Sequence, residues 1–263
     1  DPVRLGVNSV YSKQLDDSRH LTVGGSFNHQ RTHYFKTVDD LLGGDFWLDI
    51  DQFADRDFND TTISQNDLER PNKVVEQGDV FGWDYYINTR LLNAFGQYEK
   101  KWQRMEAYVG ASLAQSSFWR VGNVRNGRFP DDSEGKGKAN DFFNFGVKAG
   151  GIYKLTGRHF IAANAAYLSR PPATNVAYLS PRIRDAVISG LKSESVYSGD
   201  IGYVVRFPKV KGRATLYYSK IMDQVWSRSF YHDELLTIVN YNMTGVDQIN
   251  KGLEMGVETN LTS

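Results

Sequence analysis

The feature that most constrains this chain is an alternation of apolar and polar side chains, with a period of two, that recurs along most of its length. Between Tyr197 and Phe207 the odd positions are aliphatic, aromatic or glycine, and the even positions hold most of the polar groups. Successive side chains of a β-strand point to opposite faces, so this segment is predicted to be a strand with one apolar face. A turn at Pro208 to Gly212 leads into a second alternating segment, Arg213 to Ser219. Together they predict a two-sided β-hairpin.

Similar alternating segments recur before and after this hairpin, and we count roughly nine in the chain. They begin near Val3, Leu21, Phe81, Met105, Phe143, Phe160, Tyr197, Arg213 and Leu236. The segment that begins at Phe81 continues to about Lys100. Strands of globular proteins are usually about five or six residues long. The predicted strands are therefore unusually long.

Short and long connections alternate between these segments. The short ones lie near Leu15 to His20, Lys100 to Arg104, Thr156 to Arg158 and Pro208 to Gly212, with a further turn at His232 to Glu234. The long ones are about 45 residues after Tyr34, then Val121 to Asp141, then Ser169 to Leu191. Transmembrane β-barrels have short turns at one end and long loops at the other. We therefore predict an all-β, antiparallel, up-and-down transmembrane barrel, with a large soluble β-protein as the alternative.

Composition excludes several other classes of protein. Lys plus Arg and Asp plus Glu both number 31, so no net charge would attract nucleic acid. Cysteine is absent, which excludes disulfides, thiolate catalysis and zinc-thiolate sites. The sequence contains no nucleophile elbow, zinc-protease, phosphate-loop or dinucleotide motif, so we do not expect an enzyme. No apolar run approaches the length of a membrane-spanning helix.

Several segments of the chain resemble a known protein family, among them LKSESVYSGDIGYVVRFPKVKGRATLYYSKIMD and NKGLEMGVETNLT. The first is similar to a late-barrel hairpin, and the second to a later strand, of TonB-dependent outer-membrane receptors. The loop segments LLGGDFWLDIDQFADRDF, SFWRVG and YLSRPPATNVAYLSPR resemble receptors of the Bacteroidetes type. The resemblance implies a 22-stranded barrel that encloses a plug domain. Neither a plug nor a TonB-binding segment is recognisable, so residues 1–263 are expected to be a partial barrel; an independent smaller barrel is the alternative.

The resemblance also implies a function in the bacterial outer membrane. Such a receptor binds a scarce nutrient outside the cell and imports it with energy from TonB, which acts on a plug domain outside this chain. The cargo is left open among an iron chelate, a cobalamin-like compound, a glycan and a peptide. Expected partners are outer-membrane lipids and a surface lipoprotein, with no cofactor. The alternatives are a non-transporting barrel that acts as an adhesin or scaffold, and a soluble carbohydrate-binding protein.

Candidate binding residues are large aromatic and arginine side chains near the loop ends of the strands. For substrate they are Trp47, Trp119, Arg120, Arg125, Tyr178, Arg182, Trp226 and Tyr231. Aromatic residues there can instead form the membrane-interface girdle, and loop arginines can simply be solvated. A candidate Ca²⁺ site is the acidic run Asp49, Asp51, Asp55 and Asp57, for which a solvated acidic helix face is the alternative. We expect Glu106, Asp200, Glu254 and Glu258 to face the barrel lumen.

Overall fold

A computed structural model of the chain describes residues 2–234 and 237–259. Nine long strands, three two-residue strands and two short helices lie in this part of the chain. The strands are β1 Pro2–Asp16, β2 Arg19–Thr37, β3 Trp47–Leu48, β4 Val74–Val75, β5 Val80–Lys101, β6 Met105–Gly122, β7 Gly135–Lys136, β8 Asn140–Lys154, β9 His159–Arg170, β10 Glu194–Arg206, β11 Val210–His232 and β12 Thr237–Thr259. The helices are α1 Gln52–Phe58 and α2 Thr174–Ala177.

The long strands form one antiparallel up-and-down sheet, in which each strand pairs with its neighbours along the chain. The order is β1-β2-β5-β6-β8-β9-β10-β11-β12, and β7 adds two residues to β6. This confirms the predicted all-β, up-and-down architecture and the count of about nine strands. Within the described residues β1 pairs only with β2, and β12 pairs only with β11. The sheet therefore has two open edges.

The pairing registers place the alternating apolar residues of all nine strands on one face. Ile201 of β10 lies opposite Ala163 of β9 and Leu216 of β11, which in turn lies opposite Leu253 of β12. Many of these side chains are more than half exposed. Examples are Leu5, Val7, Leu92, Leu113, Phe143, Ile201, Leu216, Leu253 and Val257. A continuous exposed apolar face is what a wall in contact with lipid requires.

The opposite face carries polar and charged side chains that pair across strands. Lys154 Nζ lies 2.8 Å from Glu106 Oε1, and Asn164 donates to both carboxylate oxygens of Asp200. Lys211 pairs with Glu258 at 3.1 Å. Glu254 lies four residues from Glu258 on the same strand, an even number, and is therefore on the same face. The expectation that Glu106, Asp200, Glu254 and Glu258 share the polar face agrees with these registers.

The apolar band shifts steadily along the strands from one side of the sheet to the other. Residues that lie directly opposite one another can be followed from strand to strand across the sheet. Starting at Ile201 of β10, this row of paired residues passes through Ala163, Gly151, Ala107 and Lys100 and ends at Arg19 of β2. On β2, however, the apolar run is Leu21 to Phe27. The shift is about one residue of 3.3 Å per strand spacing of about 4.8 Å, which corresponds to a strand tilt of about 35°. This is the tilt of barrel strands.

The connections follow the predicted alternation, with one difference at the last hairpin. The turns after β1, β5, β8 and β10 are short, and the connections after β2, β6 and β9 are long. The connection after β11 lies at the loop end of the sheet, yet only residues 233–236 separate the two strands. Instead of a long loop, β11 and β12 themselves extend for 23 residues each. Leu236, predicted to lie on the returning strand, falls outside the described residues.

A bulge interrupts the β11–β12 ladder below this extension. The register shifts between Ile221 and Gln224 and again before Trp226, and Asp223 has a left-handed φ of 59°. The residues beyond the bulge form a separate outer arm of the hairpin. No helix in the described part of the chain is long and apolar enough to cross a membrane.

Candidate ligand-binding site

The long connection after β9, residues 171–193, folds back over the polar face at the loop end of the sheet. Tyr178 packs edge-on against Phe118 of β6, with ring centroids 5.7 Å apart. Together with Ala177 these residues join Tyr85 and Ile87 of β5 in a buried apolar cluster. Burial of these aromatic rings stabilises the inward position of the connection. The connection therefore covers the mouth of the polar side.

Arg120 of β6 joins this connection to the one before it. Its side chain is 1% exposed. Nε donates to the carbonyl oxygen of Pro181 at 2.7 Å, and Nη1 donates to the carbonyl oxygen of Ser133 at 2.6 Å. The guanidinium also lies over the Tyr85 ring, 5.3 Å from its centroid. A planar cation that bonds two carbonyl oxygens at once fixes both long connections to the wall.

The long connection after β2 forms its own small unit. Trp47 and Leu48 pair with Val75 and Val74 as a two-stranded ladder. Asp51 begins helix α1 by accepting hydrogen bonds from the backbone N–H groups of Phe53 and Ala54. From the sequence alone a short helix is predicted over Ile50 to Arg56, and the observed helix lies two residues later because Asp51 is its N-cap.

The acidic side chains of this connection serve separate hydrogen bonds. Asp49 is 5% exposed and accepts from Asn66 Nδ2 and the backbone N–H of Gly82. Asp51 caps the helix, and Asp57 pairs with Arg56 at 2.6 Å. Asp55 is exposed. In the part of the chain that the structure describes, no three acidic or histidine residues are grouped as metal ligands. The candidate Ca²⁺ site is therefore not assembled from Asp49, Asp51, Asp55 and Asp57.

A cavity of about 530 Å³ lies where residues 174–183, strands β2 and β5, and the outer arm meet. Its wall side is formed by aromatic residues, and its other sides by small hydroxyl and amide groups. The polar lining residues are Tyr34, Tyr85, Thr174, Asn175, Tyr178, Ser180, Arg182, Ser227, Asn240 and Asn242. Ligand sites commonly combine aromatic walls with a few convergent polar groups.

Arg182 is the charged residue of this lining. Its guanidinium lies 5.2 Å from the centroid of Trp83, whose ring contacts Tyr85 at 5.9 Å. Tyr85 in turn stacks on Tyr34 at 5.1 Å. Arg182 is exposed, and it forms no ion pair within residues 2–234 and 237–259. Among the residues that the structure describes, no Asp or Glu lines the cavity. The pocket therefore favours a ligand that is neutral or anionic and has a flat or hydroxyl-rich surface.

Two of the eight substrate candidates, Tyr178 and Arg182, line this cavity, and the structure distributes the other six elsewhere. Trp47 lies in the first connection, and Arg125 is bonded to the carbonyl oxygen of Pro130. Trp119 lies on the apolar face, and Arg120 is buried beneath the connections. Trp226 lies beside Arg228 and alternates with pocket residue Ser227. Tyr231 lies farther out on the arm and is 56% exposed. Contact with substrate stays a prediction for each.

The pocket residues on the outer arm were not identified from the sequence. Ser227 and Ser229 pair with Asn242 and Asn240, so the part of this face that borders the pocket carries small polar groups. The other face carries Trp226, Arg228, Tyr241 and Met243. This alternation was visible in the sequence as the segments WSRS and NYNM. The proximity of these segments to Tyr85, roughly 150 residues away in the chain, and to Tyr34, roughly 200 residues away, was not visible in the sequence.

Burial changes the acidity of two groups beneath the pocket. The pKa of Tyr178 is raised because its phenol is desolvated by the surrounding connection, so the hydroxyl stays protonated. Burial likewise raises the pKa of the Asp185 carboxyl, against the opposing effects of a hydrogen bond from the Lys138 N–H and the charge of Arg120. A methyl group at Gly137 would lie 2.0 Å from Asp185 Oδ2. Glycine at this position therefore permits the close approach of the two connections.

A second cavity, of about 670 Å³, lies at the turn end of the polar face. Its charged lining residues include Glu106 and Lys154, which pair with each other. It also includes Arg104 and Arg206, which lie beside the short turns. The Glu106–Lys154 pair is satisfied within the wall, whereas Arg104 and Arg206 form no ion pair among the residues that the structure describes.

Comparison with solved structures identifies the fold. The copper transporter OprC matches with a TM-score of 0.70 and 13% sequence identity, over 99% of this chain and 36% of that chain. The ferric citrate transporter FecA matches with a TM-score of 0.61 and 10% identity, over 97% of this chain and 32% of that chain. The FrpB iron transporter from Neisseria meningitidis matches with a TM-score of 0.60 and 14% identity, over 99% of this chain and 33% of that chain.

These matches are to barrels of TonB-dependent receptors. At such low identity they establish the fold: this chain has the architecture of one section of that barrel wall. The chain spans about a third of the length of the solved structures that it matches. No protein-family model matches the sequence, and a search of curated proteins also gave no match.

Proposed function

We propose that this chain is part of a bacterial outer-membrane receptor that imports a small nutrient with energy from TonB. The observation that carries the proposal is the pocket at the loop end of the polar face. In a barrel this face lines the lumen, and long loops lie outside the cell. A cargo held by Arg182, Tyr34 and the outer arm would sit at the external entrance to the lumen. The barrel-wall fold and the apolar outer face support this placement.

The cargo is proposed to be anionic. Arg182 is the cation of the pocket lining, and no carboxylate there opposes it. Tyr34, Tyr85 and Trp83 form a stacked aromatic surface beside it. An anionic metal chelate with carboxylate or aromatic groups fits this combination better than a cationic peptide. Two of the structurally similar proteins are named as ferric citrate and iron transporters, which agrees with a chelate.

The complete receptor is proposed to contain a plug domain and a 22-stranded barrel, to which the nine strands here contribute. Both open edges, on β1 and β12, require further strands in a bilayer. Unpaired backbone groups at the edges would each cost several kcal/mol in hydrocarbon. That the chain covers about a third of the similar transporters supports this arrangement. TonB would act through the plug, outside this chain.

The test compares cell-surface binding and uptake of radioactive ferric chelates by cells that carry the receptor. Replacing Arg182 with Ala is expected to weaken binding of an anionic ferric carboxylate about tenfold or more, with little change for a neutral oligosaccharide. Replacing Arg158, an exposed residue at the turn end, is the control. Accumulation, but not surface binding, should be lost when TonB is inactivated. Equal binding by the Arg182 variant would refute the pocket assignment.

A second candidate is an adhesin or scaffold, favoured by the apolar surface of the first long connection. Leu42 is 91% exposed and Phe53 is 70% exposed, and Phe46, Trp47 and Phe58 are also exposed. Exposed apolar patches commonly mark sites of protein contact. In an import receptor the same surface would suit a lipoprotein partner. An adhesin would bind its target without TonB-dependent accumulation of any small molecule, so the uptake assay distinguishes the two functions.

A further inference from the structure

The apolar face carries a cluster of cationic and aromatic side chains at the loop-end limit of the apolar band. We call this cluster the basic collar, and its members are His29, Arg31, Tyr86, Arg90, Trp119 and Lys136. His29 and Arg90 lie opposite each other on β2 and β5. The pair before them on the same face is Phe27 and Leu92. The collar therefore follows directly on the lipid-facing side chains.

The collar residues are held together by ring contacts. The Arg90 guanidinium carbon lies 5.3 Å from the Trp119 ring centroid, and Lys136 Nζ lies 5.5 Å from it. The His29 ring stacks on the same indole with centroids 6.0 Å apart. Arg31 lies 3.7 Å from the centroid of Tyr86. Cation–π contacts fix the positions of these charges without neutralising them.

The permanent cations of the collar are exposed and have no carboxylate partner. Arg31, Arg90 and Lys136 are exposed, and none forms an ion pair within 4.0 Å among residues 2–234 and 237–259. Among the described residues, two carboxylates of this face lie near the collar. Asp84 is bonded to His33 at 2.6 Å and to Asn123 at 2.7 Å, and Asp141 lies beyond Ser117 on β8. The face thus retains an excess of positive charge.

The height of the collar on the wall places it at a membrane interface. Pairing from Tyr197 of β10, through Tyr167, leads to Val23 of β2. Because the strands are tilted, the position on β2 at the same height in the membrane as Tyr197 lies about one residue closer to the loop end for each of the five strand steps. That position is near His29. Tyr197 and Tyr167 are aromatic residues of the apolar face, as expected for an interfacial girdle. The collar therefore lies where hydrocarbon gives way to headgroups.

We propose that the basic collar binds the phosphate groups of a phosphorylated glycolipid in the outer leaflet. Arg31, Arg90 and Lys136 would bond the phosphate oxygens, and the acyl chains would lie on Phe27 and Leu92 below. Guanidinium groups match phosphate in geometry and charge, and their alkyl stems tolerate the edge of the hydrocarbon. That the lipid belongs to the outer leaflet rests on the proposed function, which puts the loop end outside the cell.

The test measures thermal unfolding of the receptor, purified from outer membranes in mild detergent, with added lipid. The probes are lipid A with both phosphates, the same lipid without phosphate, and inorganic phosphate alone. Phosphorylated lipid A should raise the midpoint of unfolding, whereas the other two should not. The triple variant R31Q/R90Q/K136Q should bind phosphorylated lipid A at least tenfold more weakly. The control R158Q/K209Q/K211Q removes three cations at the turn end instead.

Equal stabilisation by dephosphorylated lipid would overturn the proposal, because only apolar contact would then be involved. Equal stabilisation by inorganic phosphate would also overturn it, since the site would then be a free-anion site. An unchanged affinity in the triple variant would do the same. Lipid-free unfolding and circular dichroism establish that each variant folds. Cargo uptake is measured separately, so failure of lipid binding and failure of the import hypothesis are distinguishable.

Discussion

At the scale of single residues, Arg120 has the most consequential contacts in the molecule. A buried guanidinium is costly unless its N–H groups find acceptors. Here Nε and Nη1 each donate to a backbone carbonyl oxygen of a different connection, whereas Nη2 is buried with no acceptor among the described residues. Its cation also stacks on a tyrosine that lines the pocket. Arg120 was a candidate substrate ligand on the basis of residue type. The structure shows it bonded to the two connections that surround the pocket, and contact with substrate stays a prediction.

Replacing Arg120 with Met is expected to destabilise the loop end by about 2–4 kcal/mol, because two buried carbonyl oxygens lose a charged donor. Limited proteolysis should cut residues 123–139 and 171–193 faster in this variant. The matched control is R182M, which removes an arginine from the same region but breaks no hydrogen bond to either carbonyl. If the two variants resisted protease equally, the proposed positioning role would be wrong.

Asp185 provides a test of pH dependence. Burial raises the pKa of its carboxyl above the ordinary value of 3.8, so ionisation disfavours the folded connection. This penalty is small below pH 3.8, where the carboxyl is largely protonated in both states. It develops as pH rises above 3.8 and is complete above the raised pKa. D185N should therefore stabilise the connection at pH 7 by less than about 1 kcal/mol, given partial exposure. Hydrogen exchange at pH 3.5 and pH 7 measures this, and an equal gain at both values would contradict it.

At the scale of elements, the two faces of each strand have different solvents. Strand β10 presents Ile201 to the apolar side and Ser198 to the polar side, three residues away. This assignment followed from alternation alone, and the registers of all nine strands agree with it.

The change I201R should destabilise the membrane-inserted protein by about 2–4 kcal/mol if Ile201 lies near the bilayer midplane. S198R places the same side chain on the polar side, where water and neighbouring polar groups solvate it, and should cost much less. Urea unfolding of the protein in lipid vesicles provides the comparison. Similar costs for the two variants would show that the faces have been assigned incorrectly.

Sequence patterns predicted the elements better than the site. Alternation located the nine strands because each face of a strand meets one kind of surroundings, which selects the side chains directly. The first strand was predicted over Val3 to Tyr11, whereas β1 continues to Asp16, and the two-residue strands of the connections were not predicted. Tyr178 and Arg182 were candidates because aromatic and arginine residues suit ligands, and both line the cavity, but their contact with a ligand stays a prediction. The Arg120 contacts were not predictable, since backbone carbonyl acceptors leave no signature in a sequence.

At the scale of the whole molecule, the two open edges of the sheet determine in which surroundings the sheet is stable. An edge strand exposes every second backbone N–H and C=O to its surroundings. In water those groups are hydrated, but in hydrocarbon they need further strands. The wall described here is therefore expected to be stable in a membrane only as part of a closed barrel.

Hydrogen exchange of the 263-residue chain alone, refolded in detergent, should show fast-exchanging amides on β1 and β12 and protected amides on β8 and β9. In the complete receptor, the amides of β1 and β12 should become protected as well. The central strands serve as the internal control. Protection of both edges in the isolated chain would mean that it closes or associates by itself.

The bulge at Asp223 allows the outer arm of the β11–β12 hairpin to change in length without altering the strands below it. In an uninterrupted ladder, inserting one residue turns every later side chain to the opposite face. A bulge absorbs an extra residue locally, so the register on one side of it is independent of the other. Insertions and deletions in the outer arm therefore leave the membrane-facing register of β11 and β12 intact. Substitutions, insertions and deletions can therefore change the residues of the outer arm that line the pocket, while the apolar face of β11 and β12 below the bulge keeps its orientation.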